Sequence, residues 1–357
     1  MKRLEDYKEE IHRCSKCGIC QHACPVYQET GNDCTVSRGQ FIMLDGVIKG
    51  ELKLDENVNK YLDLCMKCGK CKSACPTGID VVQIILSAKH QYFKNSLEGK
   101  LYSFLESKLV FDTILNLVGK ICRTFKRKKK LAKLETPKAK AVYFGGCLEK
   151  FHPEIKDYVV ELLHKMNIEV LDVEFGCCGM PFLTTGNLDR FEEQKRENLK
   201  KLEGLEFDYF VTDCASCEYV WNELCGIKVT NIYELIAESG LEFTARKKQT
   251  VTYHKPCHEK SMKYIDNVLN KCRNIDYKEL DGYDECCGFA GLEHPTSFGI
   301  WTKLSKKKAK NIEKTDADYV LTTCAGCTIS IGLAAIFKTK VKRLITFLKE
   351  NCKISSK

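Results

Sequence analysis

The sequence predicts a mixed α+β and α/β chain, with a mostly helical N-terminal module followed by a duplicated α/β layer. Three observations carry this. A cysteine-rich run ending in proline occurs twice between residues 14 and 76, and five further cysteines recur in a second register 109 or 110 residues on. Through the rest of the chain short apolar strands alternate with polar helical segments. Cysteine makes up 23 of 357 residues. A chain this long buries its own core without disulfide staples, so dense cysteine points to metal. The odd count excludes complete pairing. At 44% hydrophobic and 29% charged residues, the composition is globular and not disordered.

The first module, residues 1–96, holds both runs. They read Cys14-x2-Cys17-x2-Cys20-x3-Cys24-Pro25 and Cys65-x2-Cys68-x2-Cys71-x3-Cys75-Pro76. This is the bacterial ferredoxin spacing, in which three thiolates wrap one cube and the fourth crosses to the other cluster. One cubane 4Fe–4S cluster is therefore assigned to Cys14, Cys17, Cys20 and Cys75, the other to Cys65, Cys68, Cys71 and Cys24. Zinc knuckles are the alternative, but zinc takes two cysteine pairs and not this four-cysteine run. Forty residues separate Cys24 from Cys65, so the module carries an insert, within which lies Cys34.

Residues 97–138 read as a connector. Leu101, Phe104, Leu105, Leu109, Leu115 and Leu117 make an apolar, roughly helical stretch, followed by Lys120, Arg123, Lys126–Lys130 and Lys133 with no acid among them. A helix packed on the next domain with a solvated basic end is the preferred reading. A peripheral seat on an anionic membrane is the alternative. Nucleic-acid binding is not expected, because aromatic residues do not interleave with these charges. The formal charge of +9 shrinks once clusters bind, since a 4Fe–4S core with four thiolates carries about −2.

The two copies of the duplication are expected at 139–245 and 246–357. The first has Cys147, Cys177, Cys178, Cys214 and Cys217; the second has Cys257, Cys286, Cys287, Cys324 and Cys327. Strands are predicted at 141–144, 208–212, 251–253 and 318–323, with helices near 187–203 and 302–314. Ligands in such layers sit beyond the strand carboxyl ends, where most of these cysteines fall. The uncharged stretch 319–337 contains Thr322, Thr323, Cys324 and Cys327, so it reads as a strand turning into a buried helix and not as a membrane span. No apolar run follows the basic N-terminal residues, so no secretory signal is expected and a cytoplasmic, thiol-reducing setting is. Cys34, Cys122, Cys225, Cys272 and Cys352 stand isolated and read as small buried hydrophobes. Gly179 and Gly288 are expected to admit a close cluster sulfide. His254 and His258, flanking Cys257, are read either as cluster or substrate partners or as packed imidazoles.

Taken in duplicate, the Cys-x(n)-Cys-Cys-Gly-x(n)-Cys-x2-Cys pattern resembles the cysteine-rich CCG domain of heterodisulfide reductase subunits. Residues 253–258 (Tyr-His-Lys-Pro-Cys-His), 286–291 (Cys-Cys-Gly-Phe-Ala-Gly) and 323–327 (Thr-Cys-Ala-Gly-Cys) resemble the C-terminal copy. With the ferredoxin runs, the chain is similar to the iron–sulfur subunits of that superfamily: those of glycolate oxidase, anaerobic glycerol-3-phosphate dehydrogenase and D-type heterodisulfide reductase. The resemblance implies a non-cubane 4Fe–4S cluster on each five-cysteine set, one or two in all, with structural zinc as the alternative. Glycolate-oxidase-type subunits often reduce the final cysteine pair to one residue, whereas both pairs are intact here.

No GxGxxG after a strand, P-loop or Ser-His-Asp arrangement is found, and nothing marks a flavin site. Hydride chemistry would thus sit on another polypeptide. The expected function is electron transfer from an FAD-containing dehydrogenase subunit (2-hydroxy-acid or glycerol-3-phosphate type) to quinone or another acceptor, with quinone or a membrane-anchor subunit as further partner. A catalytic heterodisulfide reductase subunit is the alternative. A zinc-bearing scaffold leaves the ferredoxin runs unexplained. The crossed assignment predicts that Cys75→Ser damages the cluster of the first run. Loss of signal from the second run's cluster alone, measured by EPR, would refute it.

Overall fold

The computed structural model describes residues 2–123, 134–259, 262–292, 295–334 and 339–356. The N-terminal module is helical, and local chemistry sets its punctuation. Asp55, Asp80 and Ser96 accept hydrogen bonds from the opening amides of helices Glu56–Asp63, Val81–Asn95 and Leu97–Leu105. Pro25 opens helix Pro25–Thr30, where its missing N–H costs nothing. Leu4, Phe41, Leu44, Leu62, Ile84 and Ile85 form this module's core.

Two parallel sheets follow. In the first, β1 (Ala139–Phe144), β2 (Ile168–Leu171), β3 (Tyr209–Thr212) and β4 (Thr230–Asn231) lie in the order β2-β1-β3-β4. In the second, β5 (Leu241–Tyr253), β6 (Cys272–Tyr277), β7 (Tyr319–Thr322) and β8 (Lys340–Arg343) repeat that order as β6-β5-β7-β8. A C-terminal strand, β9 (Cys352–Ser356), runs antiparallel to the start of β5. The order is the same in both sheets, as a duplication requires. Helices Leu188–Lys200 and Phe298–Thr315 sit where the pattern placed them.

Three features differ from expectation. β5 crosses residue 245, so the boundary expected there falls inside a strand, because the second copy recruits 241–245 to pair with β9. Helix Ala325–Ala334 is only half-buried: Ile331 is in the core, while Ile329 and Leu333 are exposed. The connector forms two helices, Leu97–Leu105 and Lys108–Arg123, that pack little. Phe111 meets the Phe182 ring at 4.9 Å, but Leu101, Phe104, Leu105, Leu109 and Leu117 stay exposed. Packing on the next domain therefore does not account for this apolar face. Lys126–Lys130 and Lys133 lie outside the described residues, as does the side chain of Leu115.

The pieces share cores. Tyr143, Val159 and Ile168 of the first copy pack in one cluster with Phe243, Tyr253 and Phe347 of the second. Val82 and Leu86 of the N-terminal module join the core of the first copy around Phe144, Phe182 and Trp221. There a buried ion pair ties module to copy: Lys89 lies 2.8 Å from Asp63 and donates to the Thr184 carbonyl at 2.5 Å. Asp63→Ala leaves that ammonium buried without its carboxylate and is expected to cost about 3–5 kcal/mol in anaerobic unfolding. Lys89→Met combined with Asp63→Leu is expected to recover most of it. If the single variant unfolds like the wild type, the pair does not contribute as described.

Candidate metal centres

In each N-terminal run the backbone twists the same way. Lys16 and Gly18, then Lys67 and Gly69, take left-handed conformations, with φ of 57°, 86°, 51° and 74°. A lysine is strained there in a way that glycine is not, so the repetition marks a backbone held by the site. These turns gather sulfurs around two small cavities. One is lined by Cys14, Cys17, Cys20 and Cys75, the other by Cys24, Cys65 and Cys68, and Cys71 borders both. The fourth cysteine of each run thus stands with the other run's first three. Burial pushes the Cys24 thiol up to about 11 and raises Cys68 and Cys71 as well. Cys34 lies in the Asp33–Thr35 turn and lines neither cavity.

Six of the ten repeat cysteines follow the carboxyl ends of β1, β3, β5 and β7, and the Cys177–Cys178 and Cys286–Cys287 pairs lie in the loops after β2 and β6. In the first copy sulfur contacts run Cys147–Cys177–Cys178–Cys217–Cys214. In the second they run Cys257–Cys286–Cys287–Cys327–Cys324, with Cys287 and Cys327 at 3.3 Å. Cys214 and Cys324 then meet across the interface, with Ser216 Oγ 3.1 Å from the Cys324 sulfur. The two groups form one continuous string, where the sequence predicted only one group per copy. Hydrogen bonds within it pull Cys178 and Cys257 down to about 6 and push Cys217 and Cys286 up.

The amides of Gly179 and Gly288 each lie 3.4 Å from the sulfurs of Cys177 and Cys286. At φ of 90° and 80° both need glycine, and an added Cβ would meet Phe191 or Trp301 and Leu304. Their missing side chains make room for close helix packing.

Polar groups surround the string, and of them only His258 figured in the motif reading. Arg343 forms a buried ion pair with Asp213, which accepts from Tyr143 at 3.0 Å. Burial lowers the Lys308 ammonium to about 8, beside Cys286 and Cys287. His258 stacks on Tyr219 at 4.4 Å and lies 3.4 Å from the Lys67 carbonyl. A cavity of about 940 Å³ opens between module and second copy, reaching Cys68, Cys257, Cys286, His258 and Glu259. Nothing local in the sequence signals Arg343 or Lys308, since each lies beside cysteines that only folding brings near, and Glu259 meets Tyr253 and Thr323. Cys272 and Cys352 also correct the expectation of isolated thiols: their sulfurs lie 3.6 Å apart in the core. Cys225 is half-buried, and the side chain of Cys122 lies outside those described.

The donor set fits iron–sulfur ligation. Soft thiols are crowded together without disulfides among the described residues, and the only non-sulfur donor grouped with them is the His254 imidazole, beside Cys287 and Cys327. A family model described as a 4Fe–4S dicluster domain matches residues 10–79, and one described as a cysteine-rich domain matches 141–221 and 251–332. The chain is 24% identical to a probable glycolate oxidase iron–sulfur subunit of Bacillus subtilis, covering 93% of this chain and 92% of that one. It is 27% identical to one of the subunits of a CoM/CoB fumarate reductase of Methanothermobacter marburgensis, covering 92% and 69%. It is 24% identical to one of the subunits of a dihydromethanophenazine:CoB–CoM heterodisulfide reductase of Methanosarcina barkeri, covering 89% and 87%.

Glu259 has a measurable consequence. Its carboxyl accepts from Tyr253 at 2.7 Å and from Thr323 at 2.5 Å, yet burial dominates and raises it to about 7. The folded state therefore favours the protonated acid over the unfolded one. That contribution is complete below about pH 4.3, the ordinary glutamate value, and is lost as pH rises to 7. Wild-type stability is expected to fall by up to about 3 kcal/mol across this window from Glu259 alone. In anaerobic unfolding Glu259→Gln should flatten the slope, and an unchanged slope would contradict the assignment.

Proposed function

This chain belongs to the CCG-domain iron–sulfur family, and from that premise we propose that it is an electron-transfer subunit working between a partner FAD-containing dehydrogenase and quinone or another acceptor. Membership and relatives make it an iron–sulfur oxidoreductase subunit with 4Fe–4S clusters. The finer reading is ours: a partner of 2-hydroxy-acid or glycerol-3-phosphate type, and a division into 1–96, 97–138, 139–245 and 246–357 in which β5 bridges the last two parts.

One observation carries it, the contact order of the cysteine groups. Cys71 borders both N-terminal cavities, Cys24, Cys68 and Cys286 share an apolar patch, and Cys214 meets Cys324. First run, second run, second copy and first copy therefore follow one another in space. In this reading Cys14, Cys17, Cys20 and Cys75 hold one cubane cluster, and Cys65, Cys68, Cys71 and Cys24 the other. Cys147, Cys177, Cys178, Cys214 and Cys217 hold a third centre, and Cys257, Cys286, Cys287, Cys324 and Cys327 a fourth. When bound, such a cluster supplies a reversible one-electron store. The chain's own part is to fix the sulfurs and keep water out. Phe144, Phe175, Phe210 and Trp221 wall off the first copy's site, and Met66, Ile300 and Leu304 pack beside Cys286 at the edge of the cavity.

Among the described residues no helix is long and apolar enough to cross a membrane. The exposed face carrying Leu101, Phe104, Leu109 and Leu117 supports a peripheral seat on the inner face of the membrane. A second reading, a catalytic heterodisulfide reductase subunit, is favoured by the cavity reaching Cys257, Cys286 and His258.

Anaerobically purified protein is expected to hold about sixteen irons per chain, at four per cluster, whereas about eight would confine iron to the N-terminal module. The reduced chain should pass electrons to a quinone analogue and leave disulfides intact. Turnover of a heterodisulfide by the isolated chain would replace this reading with the second. Colourless, zinc-rich protein without acid-labile sulfide would overturn both.

A further inference from the structure

The two copies present the same five thiols but different neighbours. The 110-residue offset that maps Cys147 onto Cys257 maps Phe144 onto His254. Phe144 ends β1 inside an aromatic cage, 5.2 Å from both the Phe175 and Trp221 rings. His254 follows β5 and is 1% exposed. Its donor nitrogen lies within 4.8 Å of the Cys287 and Cys327 sulfurs, and neither ring nitrogen has a well-formed hydrogen bond elsewhere. A buried imidazole is thus aimed at the second thiol set, with the Tyr283 backbone on its other side.

A second difference lies on the helices behind the paired cysteines. Gly179 packs on Phe191 and Gly288 on Trp301, which keeps these helices in the 110-residue register and maps Asn198 onto Lys308. Asn198 is neutral and donates to the Cys177 carbonyl at 2.8 Å. Lys308 is equally buried, and its ammonium donates to the Gly282 carbonyl beside Cys286 and Cys287. Two acids stand near it, but Asp284 is engaged by Lys70 and Glu285 by Lys307. The first copy has its own nearby cation, Arg343, but Asp213 neutralises it in a buried pair. The second set alone is faced by an imidazole and by a cation whose nearby acids are taken up elsewhere.

We propose that the centre of the second copy has the higher reduction potential of the two, set by His254 and Lys308. The proposal rests on the reading that both copies bind 4Fe–4S. Taking up one electron makes and breaks no bond but adds one negative charge. An N–H directed at a thiolate sulfur and a nearby ammonium both stabilise that charge, strongly so in a low-dielectric interior. The second copy also adjoins the ferredoxin-like module through Cys68 and Cys286, so electrons would collect there before reaching the first copy. His254 and Lys308 act through the cysteines, as positioning and tuning residues.

The experiment is a redox titration of the full chain under dithionite and mediators, followed by EPR, with iron counted in every sample. Labelling with [15N]histidine identifies the second centre by its nitrogen coupling. In the wild type the coupled signal should appear at the higher potential. His254→Phe should abolish the coupling and lower that midpoint while leaving the other copy's unchanged. His254→Gln, which retains an N–H, should recover part of the shift, and Lys308→Met should lower the same midpoint. Phe144→His should raise the first copy's midpoint, a test that survives even if His254→Phe loses its cluster. A coupled signal at the lower potential, or midpoints indifferent to these variants, would overturn the proposal with iron still at about sixteen per chain. Wild-type iron near eight would instead remove the reading beneath it.

Discussion

Sulfur crowded against sulfur in a dry interior is the constraint on which the rest depends. Cys177, Cys178, Cys214 and Cys217, like Cys286, Cys287, Cys324 and Cys327, are buried and joined in one string without a disulfide. Left to themselves such groups are awkward. Burial raises each thiol, while their mutual hydrogen bonds pull alternate ones toward the thiolate. A cationic iron–sulfur core held there would resolve the conflict, because it would supply the charge that stabilises every sulfur as a thiolate. Parallel strand ends and the loops after β2 and β6 together bring the cysteines to a shared seam.

That seam explains why the copies are fused and not merely adjacent. Their apolar residues form one core, and the Ala215 amide of one copy donates to the Thr323 carbonyl of the other at 3.1 Å. Duplication yields a pseudo-symmetric pair whose sites face each other, and divergence at a few neighbours then makes them unequal. The N-terminal module breaks the symmetry further. It meets the second copy near its cysteines, at Cys24, Cys68 and Cys286, but meets the first through the apolar helix Val81–Asn95 and the Lys89 contact. Closeness of metal sites to one copy and structural support from the other is a division that no single domain carries.

Much of this was legible from the chain alone. The Cys-x2-Cys-x2-Cys-x3-Cys-Pro spacing marked two thiol groups, because three thiols at that spacing span one cluster and the proline turns the fourth away, but it did not show that Cys71 borders both cavities. Tyr209–Thr212 and Tyr319–Thr322 were visible as strands from their β-branched and aromatic residues. Other readings failed for identifiable reasons. Cys272 and Cys352 looked isolated because eighty residues separate them, yet β6 and β9 flank the start of β5 and bring their sulfurs together. Leu101 and Phe104 looked like a packing face because periodicity reports an apolar stripe without saying what covers it.

By itself, then, the order of residues determined the number of cysteine groups, their internal spacing and their duplication. These are short-range properties, written within a few residues of each cysteine. Which group adjoins which, and that His254 and Lys308 face one thiol set while Phe144 and Asn198 stand by the other, was decided only by the tertiary fold. Such neighbours lie on different strands and helices whose register only packing sets, and of them the local pattern flagged His254 alone, through its place beside Cys257.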